Sequence, residues 1–116
     1  MKIDFENIEV QNIIGFKGGK GVYRVKMVND ENNKIMLGTL VSNASIGLHS
    51  HDTSSEIIFV TKGTLTAYIT DCNGNKHTEL IHCGSCHYCK MGESHMLVNE
   101  TQEDVNFYAV VGNHIK

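Results

Sequence analysis

The sequence predicts an all-β domain, a double-sheet jelly roll or barrel. It has 11 glycines and no proline, and short apolar runs alternate with turn signals from end to end. No long stretch repeats with a helical period. About ten short strands can be drawn, and that many strands control their exposed edges by near closure.

Residues 1–20 are expected to form an N-terminal arm, an edge strand or a short helix, ahead of a barrel domain spanning 21–116. The run G-F-K-G-G-K-G at 15–21 looks superficially like a phosphate cradle. It lacks the G-x-x-x-x-G-K-[ST] order and no helical pattern follows, so it reads as a flexible entry to the first main strand. Residues 21–28 (G-V-Y-R-V-K-M-V) alternate as a half-buried strand does. N-D-E-N-N at 29–33 is a polar turn, and 35–42 resume in extended form. The next strand is expected to begin at 49–51, after a loop. Strands over 56–61 and 64–70 flank Gly63. D-C-N-G-N at 71–75 contains Asn73-Gly74, a hairpin signal because both residues tolerate positive φ. Residues 76–81, 86–89, 94–98 and 105–111 supply the remaining strands.

With 116 residues, 41% of them hydrophobic, the chain is one domain with a compact core. A homodimer is expected, since so small a domain gains buried area by pairing sheets. Net charge is -3, and Arg24 is the sole arginine among ten basic residues. No basic run could follow a phosphate backbone, which argues against nucleic acid. No apolar stretch is long enough to cross a bilayer. The start, M-K-I-D-F-E-N-I-E-V, has acidic residues where a secretory signal would be apolar, so the chain reads as cytoplasmic. Cys83, Cys86 and Cys89 form two overlapping C-x-x-C spacings. On a loop these could hold zinc, iron–sulfur or a disulfide. On a strand, residues three apart face opposite ways, so reduced thiols are expected instead.

The chemistry concentrates elsewhere. His49 and His51 are two apart, so on a strand they share a side. Glu56 follows five residues after His51, close enough to return on the neighbouring strand, and His95 arrives much later. Seven histidines make a lone H-x-H weak evidence. The combination is stronger: three imidazoles and one carboxylate converging in a β structure make a divalent metal site with positions left for substrate or dioxygen.

The spacing also resembles a known family. His49, His51, Glu56 and Gly63 match H-x-H-x(3,4)-E-x(6)-G, the first motif of the cupin superfamily. Gly84, Gly92, His95 and Asn99 match its second, G-x(5)-P-x-G-x(2)-H-x(3)-N. Two positions depart: Asn43 stands where glycine is usual and Lys90 where proline is usual. Both shape backbone, and Asn is the non-glycine residue that best tolerates positive φ. The resemblance implies the cupin double-stranded β-helix, with His49, His51, Glu56 and His95 as metal ligands. It also implies that the 15–21 segment is similar to an arm that reaches a partner subunit. Imidazoles suit Fe, Co, Ni, Cu and Zn, and the carboxylate adds Mn.

Alternation sets Ile58 and Val60 beside Glu56, Leu97 beside His95, and Cys89 beside His87, which predicts an aliphatic pocket. Phe107, Tyr23, Tyr68 and Tyr88 are candidates for aromatic walls, with ordinary core packing as the alternative. Arg24 is a candidate to orient a substrate carboxylate, and His87 a candidate acid–base group. The alternative for each is a structural role. The expected function is a metal-dependent enzyme of dioxygenase, isomerase or lyase type acting on a small oxygen-rich molecule. A non-catalytic small-molecule-binding or sensory module is the alternative, with a purely structural subunit third.

Overall fold

The computed structural model of the chain describes residues 1–114. Ten strands account for most of it: β1 (Gln11–Ile14), β2 (Val22–Asn29), β3 (Asn33–Leu40), β4 (Ser45–Ser50), β5 (Ser54–Lys62), β6 (Thr64–Thr70), β7 (Lys76–His82), β8 (Cys86–Cys89), β9 (Ser94–Val98) and β10 (Val105–Asn113). They form two antiparallel sheets. One runs β1-β2-β3-β10-β5-β8 and the other β4-β9-β6-β7. The domain is all-β, as the sequence predicts. Its core draws on both sheets, with Val25, Leu40, Ile58, Leu65, Leu97, Val105 and Phe107 fully buried. Each such side chain stabilises the fold by roughly 1.5–3 kcal/mol relative to exposure. Among the described residues no helix is long and apolar enough to cross a membrane.

Turn chemistry sets the hairpins. Asp30 Oδ1 accepts from the Asn32 and Asn33 amides, both at 2.8 Å. Asp71 Oδ1 accepts from Asn73 and Asn75, both at 2.9 Å. Of the Asn73-Gly74 pair only Gly74 takes positive φ, at 83°. Asn43 does adopt the left-handed conformation, at φ 63°. Lys90 uses an N–H that proline lacks, donating to Glu93 Oε1 at 2.9 Å.

Three expectations need correction. The strand drawn to begin at His49 instead starts at Ser45 and ends at Ser50, so His49 lies near its end. Glu56 does not return on a strand paired with β4; β5 crosses to the other sheet. The 15–21 run is not a flexible entry. It is clasped against β4 of its own chain, with Lys20 N donating to Ser45 Oγ (2.9 Å) and Ser45 N to Lys20 O (2.8 Å). The approach requires glycine on both sides. A Cβ on Gly19 would overlap the Ser45 carbonyl oxygen, and one on Gly47 the Lys17 carbonyl oxygen. Ahead of this clasp, a 3₁₀ turn at Phe5–Asn7 precedes β1, which pairs with β2 as an edge strand.

Candidate metal centre

The two sequence motifs meet because β4 and β9 are neighbours, with His49 directly opposite His95. Their far ends are tied by Asn43 N to Asn99 O and Asn99 N to Ala44 O, both 2.9 Å. Their near ends are tied through the motif glycine: Gly92 N donates to His51 O at 2.7 Å, and His51 N to Glu93 O at 3.0 Å. His51 therefore lies just past β4 with its backbone still held. The register shifts between Ile46 and His49. Without that irregularity, alternation from buried Ile46 would turn Leu48 inward and His49 outward. Instead Leu48 is 61% exposed and His49 faces the site.

Four donors converge. His95 Nε2 lies 3.0 Å from Glu56 Oε1, 3.1 Å from His51 Nε2 and 3.2 Å from His49 Nε2. His51 Nε2 is 3.4 Å from Glu56 Oε1. All four donor atoms fall within 4.8 Å of one another. One imidazole nitrogen carries at most one proton, so His95 Nε2 can donate along only one of its three contacts. The other contacts set acceptors against each other, an arrangement that a shared cation would relieve. The spacing also suits one: donors about 2.1 Å from a common ion lie ~3.0 Å apart at right angles and ~3.4 Å apart at the tetrahedral angle. The residues present fit a divalent ion.

Each ring is oriented from behind. His49 Nδ1 donates to Gly47 O at 2.8 Å, which leaves Nε2 with its lone pair toward the cluster. His51 Nδ1 pairs with Ser54 Oγ at 2.8 Å, and His95 Nδ1 with His87 Nε2 at 2.9 Å. Burial lowers His49 below the usual imidazole range, with the neighbouring rings adding to it, against the raising effect of Gly47 O. Burial pushes the Glu56 carboxyl up, but hydrogen bonds from His51 and His95 outweigh it and hold the group at about 2.

Beside the donors opens a cavity of about 220 Å³, walled by Phe16, Tyr23, Met36, Ile46, Leu97 and Phe107. Tyr23 and Phe107 stack at 5.9 Å, in space that a Cβ on Gly38 would invade. Tyr68 and Tyr88 lie outside this cavity, and Tyr88 is 52% exposed. Ile58 and Val60 are core residues on Glu56's face of β5.

Neither catalytic candidate reaches the cavity. Arg24 is half-exposed and lies 3.9 Å from Asp104. His87 is buried behind His95, with Nδ1 2.9 Å from Glu79 Oε1. Burial lowers His87 first, opposed by that bond to Glu79. Two groups that sequence reasoning overlooked do line the cavity, Lys17 and Lys34. Alternation back from buried Met36 would have found Lys34. No signal in the sequence marks Lys17, which the glycine clasp delivers. All four cysteines are free; Cys86 is exposed and Cys89 buried on opposite faces of β8. Cys89 nonetheless forms a second metal-capable group with His87 and His95. Burial and nearby carboxylates push its thiol up to about 12.

A two-sheet β-domain with a three-histidine, one-carboxylate cluster beside an apolar cavity is a well-defined class of protein. The chain belongs to the cupin family: the Cupin domain model matches residues 36–111, well over half its length. Comparison with curated protein sequences finds no significant relative. Among solved structures, one described as a predicted oxalate decarboxylase from Thermotoga maritima is 24% identical, with TM-score 0.83, covering 97% of this chain and 99% of that one. A variant oxalate decarboxylase from Bacillus subtilis is 21% identical with TM-score 0.76, covering 97% of this chain and 29% of that one. A recombinant oxalate oxidase in complex with glycolate is 14% identical with TM-score 0.69, covering 80% of this chain and 52% of that one. At these identities the likeness is one of fold.

Proposed function

We propose that His49, His51, Glu56 and His95 bind a divalent transition-metal ion (Fe, Mn, Ni, Co, Zn or Cu) and that the chain is a metal-dependent enzyme acting on a small oxygen-rich anion. One observation carries this reading: three Nε2 atoms and one carboxylate oxygen meet beside a cavity of about 220 Å³. A bound ion would supply Lewis acidity toward paired substrate oxygens, or dioxygen chemistry if iron. The protein's own groups do the rest. Lys17 and Lys34 attract and orient a carboxylate, while Phe16, Phe107, Leu97 and Met36 limit water. With one anionic ligand the site keeps net positive charge, which selects against cations and neutral apolar molecules. Dioxygenase, isomerase and lyase activities all suit such a site. We propose a cytoplasmic homodimer as its setting.

A second reading, a non-catalytic binding or sensory cupin, has its own support. Beyond the four donors, the only titratable groups lining the cavity among the described residues are Lys17, Lys34 and Tyr23. The Tyr23 phenol is pushed far up by burial and by Glu56, so it holds its proton.

Elemental analysis of protein purified without added metal tests the first claim. One equivalent of a divalent transition metal is expected, and none in His51→Ala. Wild-type metal content in that variant would reject the ligand assignment. Oxalate and glycolate are suitable probe anions for the loaded protein. Consumption of either supports the enzyme, whereas tight binding with no change in the probe supports the second reading.

A further inference from the structure

Behind the four donors runs a chain of side chains that the proposed chemistry does not use. His95 Nδ1 lies 2.9 Å from His87 Nε2, and His87 Nδ1 lies 2.9 Å from Glu79 Oε1. His95 is fully buried, His87 is 1% exposed, and the Glu79 side chain is 44% exposed. The chain therefore starts at the surface, crosses the gap between the sheets and ends at the candidate metal site. Three different strands supply it: β7 holds Glu79, β8 holds His87 and β9 holds His95. The two rings lie nearly parallel, with centroids 5.2 Å apart and planes inclined by 27°.

The direction of these hydrogen bonds follows from one end. An ionised carboxylate only accepts, so His87 Nδ1 carries the proton and donates to Glu79. Neutral His87 then has a lone pair at Nε2, which accepts from His95 Nδ1. That leaves the lone pair of His95 on Nε2, the atom that faces Glu56, His51 and His49. With a cation held among the four donors this lone pair is the ligand; with no cation, a proton on Nε2 donates to Glu56 Oε1 at 3.0 Å instead, so the order along the chain is that of the metal-loaded site.

We propose that Glu79 and His87 are positioning residues that lock His95 in the Nδ1–H tautomer and raise its basicity as a ligand, a role that rests on the metal reading of the site. The carboxylate acts through two imidazoles, so a surface residue sets the donor strength of a buried ligand. Groups that orient a metal-bound histidine from behind typically matter by 10- to 100-fold in affinity. The other oxygen of Glu79, Oε2, lies 3.4 Å from His77 Nε2 at the surface.

The rival arrangement uses the same atoms differently. His87, Cys89 and His95 would together hold a second ion, with the His95 ring bridging the two. The separation of 2.9 Å between His87 Nε2 and His95 Nδ1 suits a hydrogen bond and a shared ion alike, so zinc stoichiometry separates the two arrangements.

The test uses Zn(II) with the full chain and four variants: Glu79→Gln, Glu79→Ala, His87→Gln and His87→Leu. Zinc affinity is read by competition with a chelator, and imidazole tautomers by long-range nitrogen–proton NMR on the zinc-loaded protein. Expected are Nδ1–H tautomers for both His87 and His95, one zinc per chain, and an affinity about 10- to 100-fold lower in Glu79→Ala. Glu79→Gln, which keeps an acceptor oxygen without the charge, should fall between. His87→Gln should recover part of the affinity that His87→Leu loses, because its side-chain oxygen can accept from His95. Glu79 sits at the surface, so its variants fold even if those at His87 do not. Wild-type affinity in Glu79→Ala, an Nε2–H tautomer at His87, or a second zinc lost in Cys89→Ser would overturn the proposal while leaving the metal site standing. A wild-type protein that takes up no zinc would overturn both.

Discussion

Replacing Glu56 by Gln removes the only negative charge among the four donors while keeping the side chain's shape. Glu56 makes two of the close approaches in the cluster, 3.0 Å to His95 Nε2 and 3.4 Å to His51 Nε2. Four-ligand zinc sites bind with about 10–16 kcal/mol in all, so an average ligand supplies roughly 2.5–4 kcal/mol. At about 1.4 kcal/mol per tenfold, the variant should lose two to three orders of magnitude in affinity. Thermal unfolding reads this directly. Metal at 100 times the wild-type Kd stabilises the native state by about 2.7 kcal/mol. For a domain near this size each kcal/mol moves Tm by ~4–8 °C, so a rise of roughly 10–20 °C is expected. If Glu56→Gln weakens binding 100-fold, the same metal concentration equals its Kd and yields only about 0.4 kcal/mol, a rise of ~2–3 °C. Manganese(II) and zinc(II) should each be titrated by scanning fluorimetry. A wild-type rise in the variant would refute the claim that this carboxylate is a ligand.

Other expectations follow from the same geometry. Chelator-treated protein should be most stable above about pH 6.5 and weaken as pH falls. His49 and His87 are held below their ordinary value of 6.5, so the unfolded chain binds protons there that the fold refuses. A further loss should follow between 4.5 and about 2, as Glu56 is protonated in the unfolded state before the folded one; urea midpoints flat from pH 7 to 4 would contradict this. Asn99→Ala removes donations to Leu40 O (2.9 Å) and Glu103 O (2.7 Å) and acceptance from Thr101 N and Oγ1 (3.0 and 2.6 Å). It should cost about 2–4 kcal/mol, read as a lower urea midpoint, with metal stoichiometry unchanged in the folded fraction. Gly47→Ala should dislodge the 15–21 clasp at about 1–3 kcal/mol and weaken binding of the anion probe more than binding of the metal, both measurable by calorimetry. Light scattering should give a dimer mass at micromolar concentration, and a monomer mass would contradict the expected pairing.

Much of the candidate site was legible because its motifs encode backbone as well as the four donor side chains. Gly92 and Asn99 look like fillers around His95, yet one holds the backbone of His51 and the other closes the loop after β9 through three side-chain hydrogen bonds and ties it to β3 through a fourth, to Leu40 O. Strand positions were also legible where alternation or turn chemistry marked them, as in 86–89, which β8 occupies (Cys86–Cys89). What period alone could not supply was the sheet to which a strand belongs. Glu56 faces the histidines from the opposing sheet, a fact of topology rather than of residue pattern.

The aim of His49 shows where pattern reasoning fails for a physical reason. Simple alternation along Ile46, Leu48 and Ser50 puts the histidines on the wrong face. The register shift between Ile46 and His49 corrects this, in a stretch that includes Gly47, where the Lys17 carbonyl leaves no room for a side chain. That same contact brings Phe16 and Lys17 to the cavity. One glycine thus couples two features that look unrelated in sequence: the orientation of a candidate ligand in the first motif, and an N-terminal glycine run with no motif of its own. Neither segment predicts the other, because the coupling is a close backbone approach between residues 30 positions apart. A long insertion in 15–21 would therefore disturb the candidate metal cluster through Gly47 O and His49 Nδ1 before it touched any of the other donors.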